Sequence, residues 1–378
     1  MNILFVLEYF YPHIGGVEKA FYNQTIELAK KNRVTVLTSR IKGTAGREII
    51  KGVEIIRINT PGWAQRYWFM VLAIPVLFRI VSGFDIIHTT TYNAALTSWI
   101  VGRIFKKKIV ITVHEVIGKK WFSLSENNKF LQLGYYIFEK LLFKLNFDRY
   151  IAVSEATRKD LLSNSKIDKK KVIVSYPILD TKYWDRNKYK KNTIRERYGL
   201  KKDQFIYLYF GRSGISKGPE YLIDAVSKIS SKIEKSKLLM VLSPHPKKRY
   251  CYLVNLIKRI NSDDQKIILV PPLSNKDLPK YILSSNCVVV PSLTEGYGYS
   301  ALEACLLGVP VIATKVGSLQ EVLPKGTLFI EPKNPEEIAN AVYRIYQISQ
   351  KRKIKVGIPK PLFSKNYGID EEKFYQNL

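Results

Sequence analysis

Val288-Val289-Val290-Pro291-Ser292-Leu293-Thr294-Glu295-Gly296-Tyr297-Gly298-Tyr299-Ser300-Ala301-Leu302-Glu303 decides the fold. A β-branched run ends at a proline, crosses a loop with two glycines, and gives way to helical spacing from Tyr299 to Leu307. Gly296 and Gly298 let backbone N–H groups come close to a ligand, and a helix starting there turns its positive end toward an anion. Glu295 lies in the loop and Glu303 in the helix, so both carboxylates can face one place. A carboxylate accepts two hydroxyl hydrogen bonds, which suits the vicinal diol of a ribose or hexose. The plainer alternative, a capping Glu295 and a solvated Glu303, fits less well beside Pro291 and Gly308-Val309-Pro310.

Upstream, Tyr207-Leu208-Tyr209-Phe210-Gly211-Arg212-Ser213-Gly214-Ile215-Ser216-Lys217-Gly218-Pro219 repeats the pattern. A strand ends at Gly211, and Pro219 suits the first turn of a helix. Arg212 and Lys217 flank the turn between them. Arg offers forked hydrogen bonds and Lys a point charge, a combination that suits a pyrophosphate.

Outward from these motifs, strand and helix patterns alternate along both halves of the chain. Expected strands are Ile3–Leu7, Val34–Thr38, Val53–Ile58, Asp85–His88, Ile109–Val113 and Tyr150–Val153, then Phe205–Phe210, Leu238–Leu242, Lys266–Val270, Cys287–Val290, Val309–Ala313 and Thr327–Ile330. Most are apolar on both faces, as a sheet covered by helices requires. The rhythm breaks near Pro177 and through the basic stretch Arg186–Arg197. The expectation is an α/β chain of two Rossmann-like, doubly wound domains. Residues 1–178 form the first and 179–360 the second, with the carboxyl ends of both sheets facing an interdomain cleft. A C-terminal segment, 361–378, ends in the short amphipathic stretch Asp370–Leu378 and packs back toward the first domain.

Hydrophobic residues make up 46% of the 378 and charged ones 25%, the balance of a folded globular protein. The net charge of +29 is spread over both halves and attracts polyanions or anionic lipid, unless it is a lysine-rich compositional bias. Three cysteines, Cys251, Cys287 and Cys305, lack metal spacing and read as reduced, largely buried thiols. The start of the chain lacks the pattern of a secretory leader. The apolar stretch Tyr67–Phe78 falls short of the roughly 20 residues of a spanning helix. A cytoplasmic location follows as the expectation.

The two carboxyl-half motifs, in their order, resemble those of retaining glycosyltransferase family 4, whose members have the GT-B fold. Gly211–Gly218 is similar to the family's G-R-x-x-x-x-K-G element, and Glu295–Glu303 to its E-x₇-E motif. Tyr9–Glu18 resembles the family's opening loop, and Ile151–Thr157 the end of its last N-domain strand. The resemblance implies that Arg212 and Lys217 neutralise the donor diphosphate and that Glu303 holds the nucleotide ribose. It places Glu295 near the reacting carbon of the sugar and the backbone around Gly296, Tyr297, Gly298, Tyr299 and Ser300 on phosphate oxygens. Gly15 and Gly16 would approach the donor phosphate or the acceptor from the first domain, with Glu18 capping the helix they open. His114, after the strand Ile109–Val113, would position the donor sugar's 6-hydroxyl, since front-side retention needs no protein base.

No metal is expected, because no DxD pair stands at a strand end; Asp263-Asp264 lies between a helix and a strand. No cofactor is expected either. The partners implied are a UDP- or GDP-sugar donor and a glycan or lipid-linked acceptor, without nucleic acid. Ser243-Pro244-His245-Pro246 replaces the family's usual G-x-G turn beside the base pocket, Gly317-Ser318 a Gly-Gly pair, and Tyr176–Asp180 an Asn-Gly-Val-Asp turn. Aromatic and basic residues in Pro61–Phe84, Lys119–Phe122 and Tyr135–Phe138 add the expectation of peripheral attachment to an anionic membrane. The rival functions are a nucleotide-sugar epimerase of the same fold and a non-enzymatic polyanion binder.

Overall fold

The structure is a computed structural model that describes residues 1–13, 15–189, 193–262, 264–274, 276–363 and 374–375. The chain divides into two compact units, Met1–Leu179 with Ser364–Leu378, and Asp180–Phe363.

The first unit carries β1 (Asn2–Val6), β2 (Arg33–Ser39), β3 (Arg47–Ile50), β4 (Val53–Ile58), β5 (Ile86–Thr90), β6 (Lys108–Val113), β7 (Arg149–Ala152) and β8 (Val172–Val174). Its helices are α1 (Gly16–Leu28), α2 (Gln65–Ile80), α3 (Asn93–Ile104), α4 (Trp121–Leu124), α5 (Lys129–Leu142) and α6 (Glu155–Asn164). The sheet order is β3-β4-β2-β1-β5-β6-β7-β8. Every pairing is parallel except β3 with β4. Central β1 buries Ile3, Leu4, Phe5 and Val6 completely, each such side chain contributing about 1.5–3 kcal/mol. β3 was not expected, because its Arg-Glu-Ile-Ile sequence is partly exposed at the sheet edge and lacks the continuous apolar run of a covered strand.

The second unit is smaller in strand number and wholly parallel, in the order β11-β10-β9-β12-β13-β14. These strands are β9 (Phe205–Arg212), β10 (Ser236–Ser243), β11 (Ile267–Val270), β12 (Cys287–Val290), β13 (Val311–Thr314) and β14 (Leu328–Ile330). Between them run α7 (Thr193–Arg197), α8 (Pro219–Lys232), α9 (Lys247–Ile260), α10 (Leu278–Ser284), α11 (Tyr299–Leu306), α12 (Leu319–Val322) and α13 (Pro335–Lys351). Both units are Rossmann-like, and in each the strand order reverses once. The reversal lies between β1 and β5 in the first and between β9 and β12 in the second, and ligands bind where such loops diverge.

Two expectations need correction. Cys251 is exposed, because it sits on the outer face of α9; Cys287 and Cys305 are buried. The apolar stretch begun at Tyr67 continues as helix from Gln65 to Gly83, 19 residues, and is long and apolar enough to cross a membrane by length and composition. Pro75 lies inside it without ending it. The end Asp370–Leu378 lies outside the described residues apart from Phe374 and Tyr375, as do residues 190–192 of the basic stretch and Asp263. Tyr375 is buried in the first unit, its hydroxyl bonded to His88 Nδ1.

Candidate active site

Both carboxyl-half motifs leave the strands that flank the reversal of the second sheet. The chain leaves β9 at Arg212, turns through Ile215–Lys217, and enters α8 at Gly218, whose φ is +58°. It leaves β12 at Val290 and enters α11 at Gly298, with φ +85°. Both glycines sit in the left-handed region that an L side chain enters at a cost.

The two loops are stitched together by backbone. A Cβ on Gly218 would lie 2.2 Å from the Pro291 carbonyl oxygen, so only glycine lets the strands' ends approach. Leu293 N donates to Ser216 O at 2.8 Å. Lys217 Nζ then reaches both carboxylate oxygens of Glu295, at 2.8 and 2.7 Å, and Ser292 Oγ donates to the same carboxylate at 3.1 Å. A third segment braces Glu295 from behind. Ser318 N donates to Glu295 O at 3.1 Å, and a Cβ on Gly317, φ +51°, would lie 1.9 Å from that oxygen. Thr314 Oγ1 donates to Ser292 O at 2.6 Å.

Arg212 ends β9 with an exposed side chain, and among the described residues no ion pair holds it. Its carbonyl accepts the Tyr209 hydroxyl at 2.9 Å. Glu303, 5% exposed, lies on α11 near Tyr183. Burial first, then Tyr189 and the Glu303 charge, push the Tyr183 phenol far above its ordinary range. The N-cap of α11 is Gly298, which has no side chain to offer, and no acidic residue lies in the helix's first turn. Tyr297 is buried and its ring meets that of Tyr299 edge to face at 5.1 Å. The structure therefore brings Lys217, Glu295 and the glycine loop into direct contact, and sets Arg212 and Glu303 on the two elements that leave the same reversal.

In the first unit, His114 follows β6. Its ring packs edge to face on Phe21, 5.4 Å between centroids, and Nε2 is buried without a hydrogen-bond partner among the described residues. Burial holds this imidazole down to about 4, so it is neutral near pH 7. Gly15 caps α1 in extended backbone, and Gly16 is the helix's first residue. The carboxylate of Glu18 folds back over Gly15: a Cβ there would lie 2.0 Å from Glu18 Oε2. The same carboxylate accepts from His13 Nδ1 at 2.9 Å.

Sequence reasoning missed the residues that hold these loops. Glu8 Oε1 accepts Asn93 N at 2.8 Å and Ala94 N at 3.2 Å, capping α3 across the reversal of the first sheet. Burial raises its carboxyl, with Arg66 and the two N–H groups opposing. Glu139, 2% exposed, accepts from Tyr92 Oη, Ile117 N, Gly118 N and Trp121 Nε1. It thereby shapes the loop that follows His114. In the sequence, Gly317 and Ser318 stand out only as a departure from a Gly-Gly pair. Their signal was the glycine; the carboxylates gave none, since a lone Glu does not announce burial.

Comparison with known proteins agrees with this architecture. Residues 14–183 match the family described as Glycosyltransferase Family 4, and residues 190–355 match Glycosyl transferases group 1. An uncharacterised glycosyltransferase of Methanocaldococcus jannaschii is 27% identical over 79% of this chain and 76% of its own length. A D-inositol 3-phosphate glycosyltransferase of Nocardioides is 24% identical over 71% of this chain, which spans 60% of that relative. Among solved structures, Anabaena HepE with UDP and glucose superposes with a TM-score of 0.73 at 18% identity, covering 93% of this chain and 91% of its own. Sucrose-phosphate synthase of Thermosynechococcus elongatus gives 0.74 at 21% identity, covering 100% and 95%. With both halves matched in order and the fold shared, the chain belongs to the group 1, family 4 glycosyltransferases of GT-B fold.

Proposed function

We propose that this protein is a retaining, metal-independent hexosyltransferase that takes its sugar from a UDP- or GDP-sugar and delivers it to a glycan or lipid-linked acceptor. The observation that carries the reading is the Lys217–Glu295 pair, fixed at the sheet reversal beside the helix start at left-handed Gly298. A departing nucleoside diphosphate develops negative charge, and preorganised cations and N–H groups stabilise it more in the transition state than before. Lys217 and Arg212 supply the cations, and the backbone from Gly296 to Ser300 supplies the N–H groups. Glu295, already turned toward Lys217, accepts sugar hydroxyls next to the scissile bond. Glu303 accepts the ribose hydroxyls.

His114 positions the sugar. Its depressed basicity makes it a poor proton acceptor near neutral pH, which favours proton transfer to the leaving phosphate on the face of attack. Gly15 lies under the Glu18 carboxylate, so the backbone at Gly15 and Gly16 suits the acceptor better than the donor phosphate. The crystallised binding of UDP and UDP-glucose by HepE supports a uridine nucleotide as the first donor to assay.

The test is turnover of UDP-glucose and GDP-mannose by wild type, Lys217→Ala and Glu303→Ala, with the anomeric configuration of the product read by NMR. Each variant loses about 10²–10³-fold in turnover or donor affinity at unchanged melting temperature. Wild-type activity in Lys217→Ala, or an inverted product, overturns the mechanism.

A further inference from the structure

The helix α5 is built inside out. Its buried residues are Gln132, Glu139 and Leu142, while Phe130, Leu133, Ile137 and Leu141 are exposed, Phe130 by 86%. These exposed positions recur at helical spacing and form one stripe. A surface helix in water turns such a stripe to the core and its carboxylates outward. Here the inward polar residues have employment: Gln132 Nε2 donates to Ser125 O and Asn127 O, and Glu139 gathers the 117–121 loop. The outward apolar stripe has none among the described residues.

A second stripe adjoins it. The helix α2 buries Phe69, Ala73 and Leu77 and exposes Tyr67, Val71 and Phe78. Tyr67, in the first turn of α2, meets Tyr135 of α5, so the two helices touch at that point. Exposed apolar side chains in a stripe such as that of α5 mark an interaction site. Its chemistry is cationic: Lys119, Lys120, Lys129 and Lys144 are exposed around α5, against Glu126 as the exposed acid of residues 118–144.

We infer that this face of the first unit docks on an anionic lipid bilayer, with α5 lying in the interfacial plane. An apolar stripe edged by lysines is the signature of a helix that sinks about 5–10 Å into the headgroup boundary. A second copy of this chain fits less well, because a two-fold contact would set like-charged lysines against one another. Spanning by α2 fits less well too, since Phe69, Ala73 and Leu77 would have to leave the core. The inference stands on this face alone and is independent of the donor reaction.

The test is flotation of the full chain with phosphatidylcholine vesicles made with and without phosphatidylglycerol. Wild type floats with the anionic vesicles at low salt. Leu133→Glu/Ile137→Glu, at exposed positions, lowers the bound fraction at least tenfold, roughly the loss expected when charge enters the apolar face. Lys119→Gln/Lys120→Gln weakens partition by about fivefold per lysine and flattens its salt dependence. Leu141→Gln serves as a milder variant if the double substitution lowers the melting temperature. Absence of wild-type flotation, unchanged flotation of the apolar variants, or a solution dimer that Leu133→Glu/Ile137→Glu dissociates would each overturn the inference. Flotation without sugar transfer would leave this surface standing and sink the enzymatic reading instead.

Discussion

The two units reverse their sheets in the same way but treat the helix ends there differently. In the first, both helix N-termini are already met by the protein's own carboxylates: Glu8 caps α3 and Glu18 folds over the start of α1. In the second, α8 and α11 open at left-handed glycines; the Glu220 carboxylate bonds its own backbone N–H in the first turn of α8, whereas the first turn of α11 holds no acidic residue. A helix N-terminus carries about half a positive charge, so one answered by a carboxylate has little left for a phosphate. On the function proposed above, the diphosphate lies at the start of α11, and the contrast to test is between that helix and the carboxylate-capped α3. The construction differs as well: the second site is braced by backbone packing, the loops of the first by buried side-chain hubs.

Breaking a hub has the largest effect. Glu139→Ala leaves Ile117 N, Gly118 N, Trp121 Nε1 and Tyr92 Oη without their shared acceptor. The first unit should lose about 4 kcal/mol, with Glu139→Gln recovering part of it. Urea unfolding of a Trp184→Phe background, in which the remaining tryptophans all lie in the first unit, measures this. A loss under about 1 kcal/mol would show that water replaces the carboxylate.

Gly317→Ala attacks the backbone brace in the second unit. A methyl 1.9 Å from Glu295 O must displace the loop, at a cost of about 3 kcal/mol in that unit. Donor affinity should fall with stability, unlike in Lys217→Ala. An alanine variant with wild-type donor affinity would mean that the loop is soft and that the brace does not position Glu295.

These two experiments separate what the sequence disclosed from what it hid. The glycine loops were legible because close approaches and turns demand glycine locally: Gly298, expected to bring backbone near a ligand, has a left-handed φ, and Gly218, quoted only within its motif, has one too. Both sheets were legible because covered parallel strands are continuous apolar runs. The short strands β3 and β8 and the short helices α10 and α12 were not, since edge position or brevity removes the periodic signal. Glu8 and Glu139 were invisible for another reason. Their partners are backbone groups far along the chain, and burial of a carboxylate depends on tertiary contacts that no local pattern encodes.

The comparison extends to pH. Burial holds His88 down to about 3 and His114 down to about 4, against about 6.5 in an unfolded chain. The unfolded first unit therefore binds more protons below pH 6.5. Its stability is complete above that pH and falls as pH drops toward the folded values, by up to about 1.4 kcal/mol per pH unit for each imidazole. Glu8, raised by burial, works in the opposite sense, so Glu8→Gln steepens the loss. In the second unit burial raises Glu220 and Asp224, and its stability should hold or rise over the same window. Urea midpoints at pH 7, 6 and 5 decide it, and parallel decline of both units would erase the contrast.

The smallest effect concerns His114, to which the proposed function gives a positioning role. A neutral imidazole that only orients a hydroxyl contributes one hydrogen bond, about 1.4 kcal/mol or tenfold in turnover. His114→Asn, which keeps a polar group, should lose no more than that. The pH profile of turnover should stay level between pH 6 and 8 in both proteins, because the imidazole has already lost its proton well below this range. A general base would behave otherwise: removing it typically costs about 10²–10⁴-fold and abolishes an acidic limb. A limb near pH 6.5 in wild type that vanishes in His114→Asn would mean that the bound donor lifts the imidazole's basicity, and the first unit would then supply a proton acceptor as well as a surface for the acceptor.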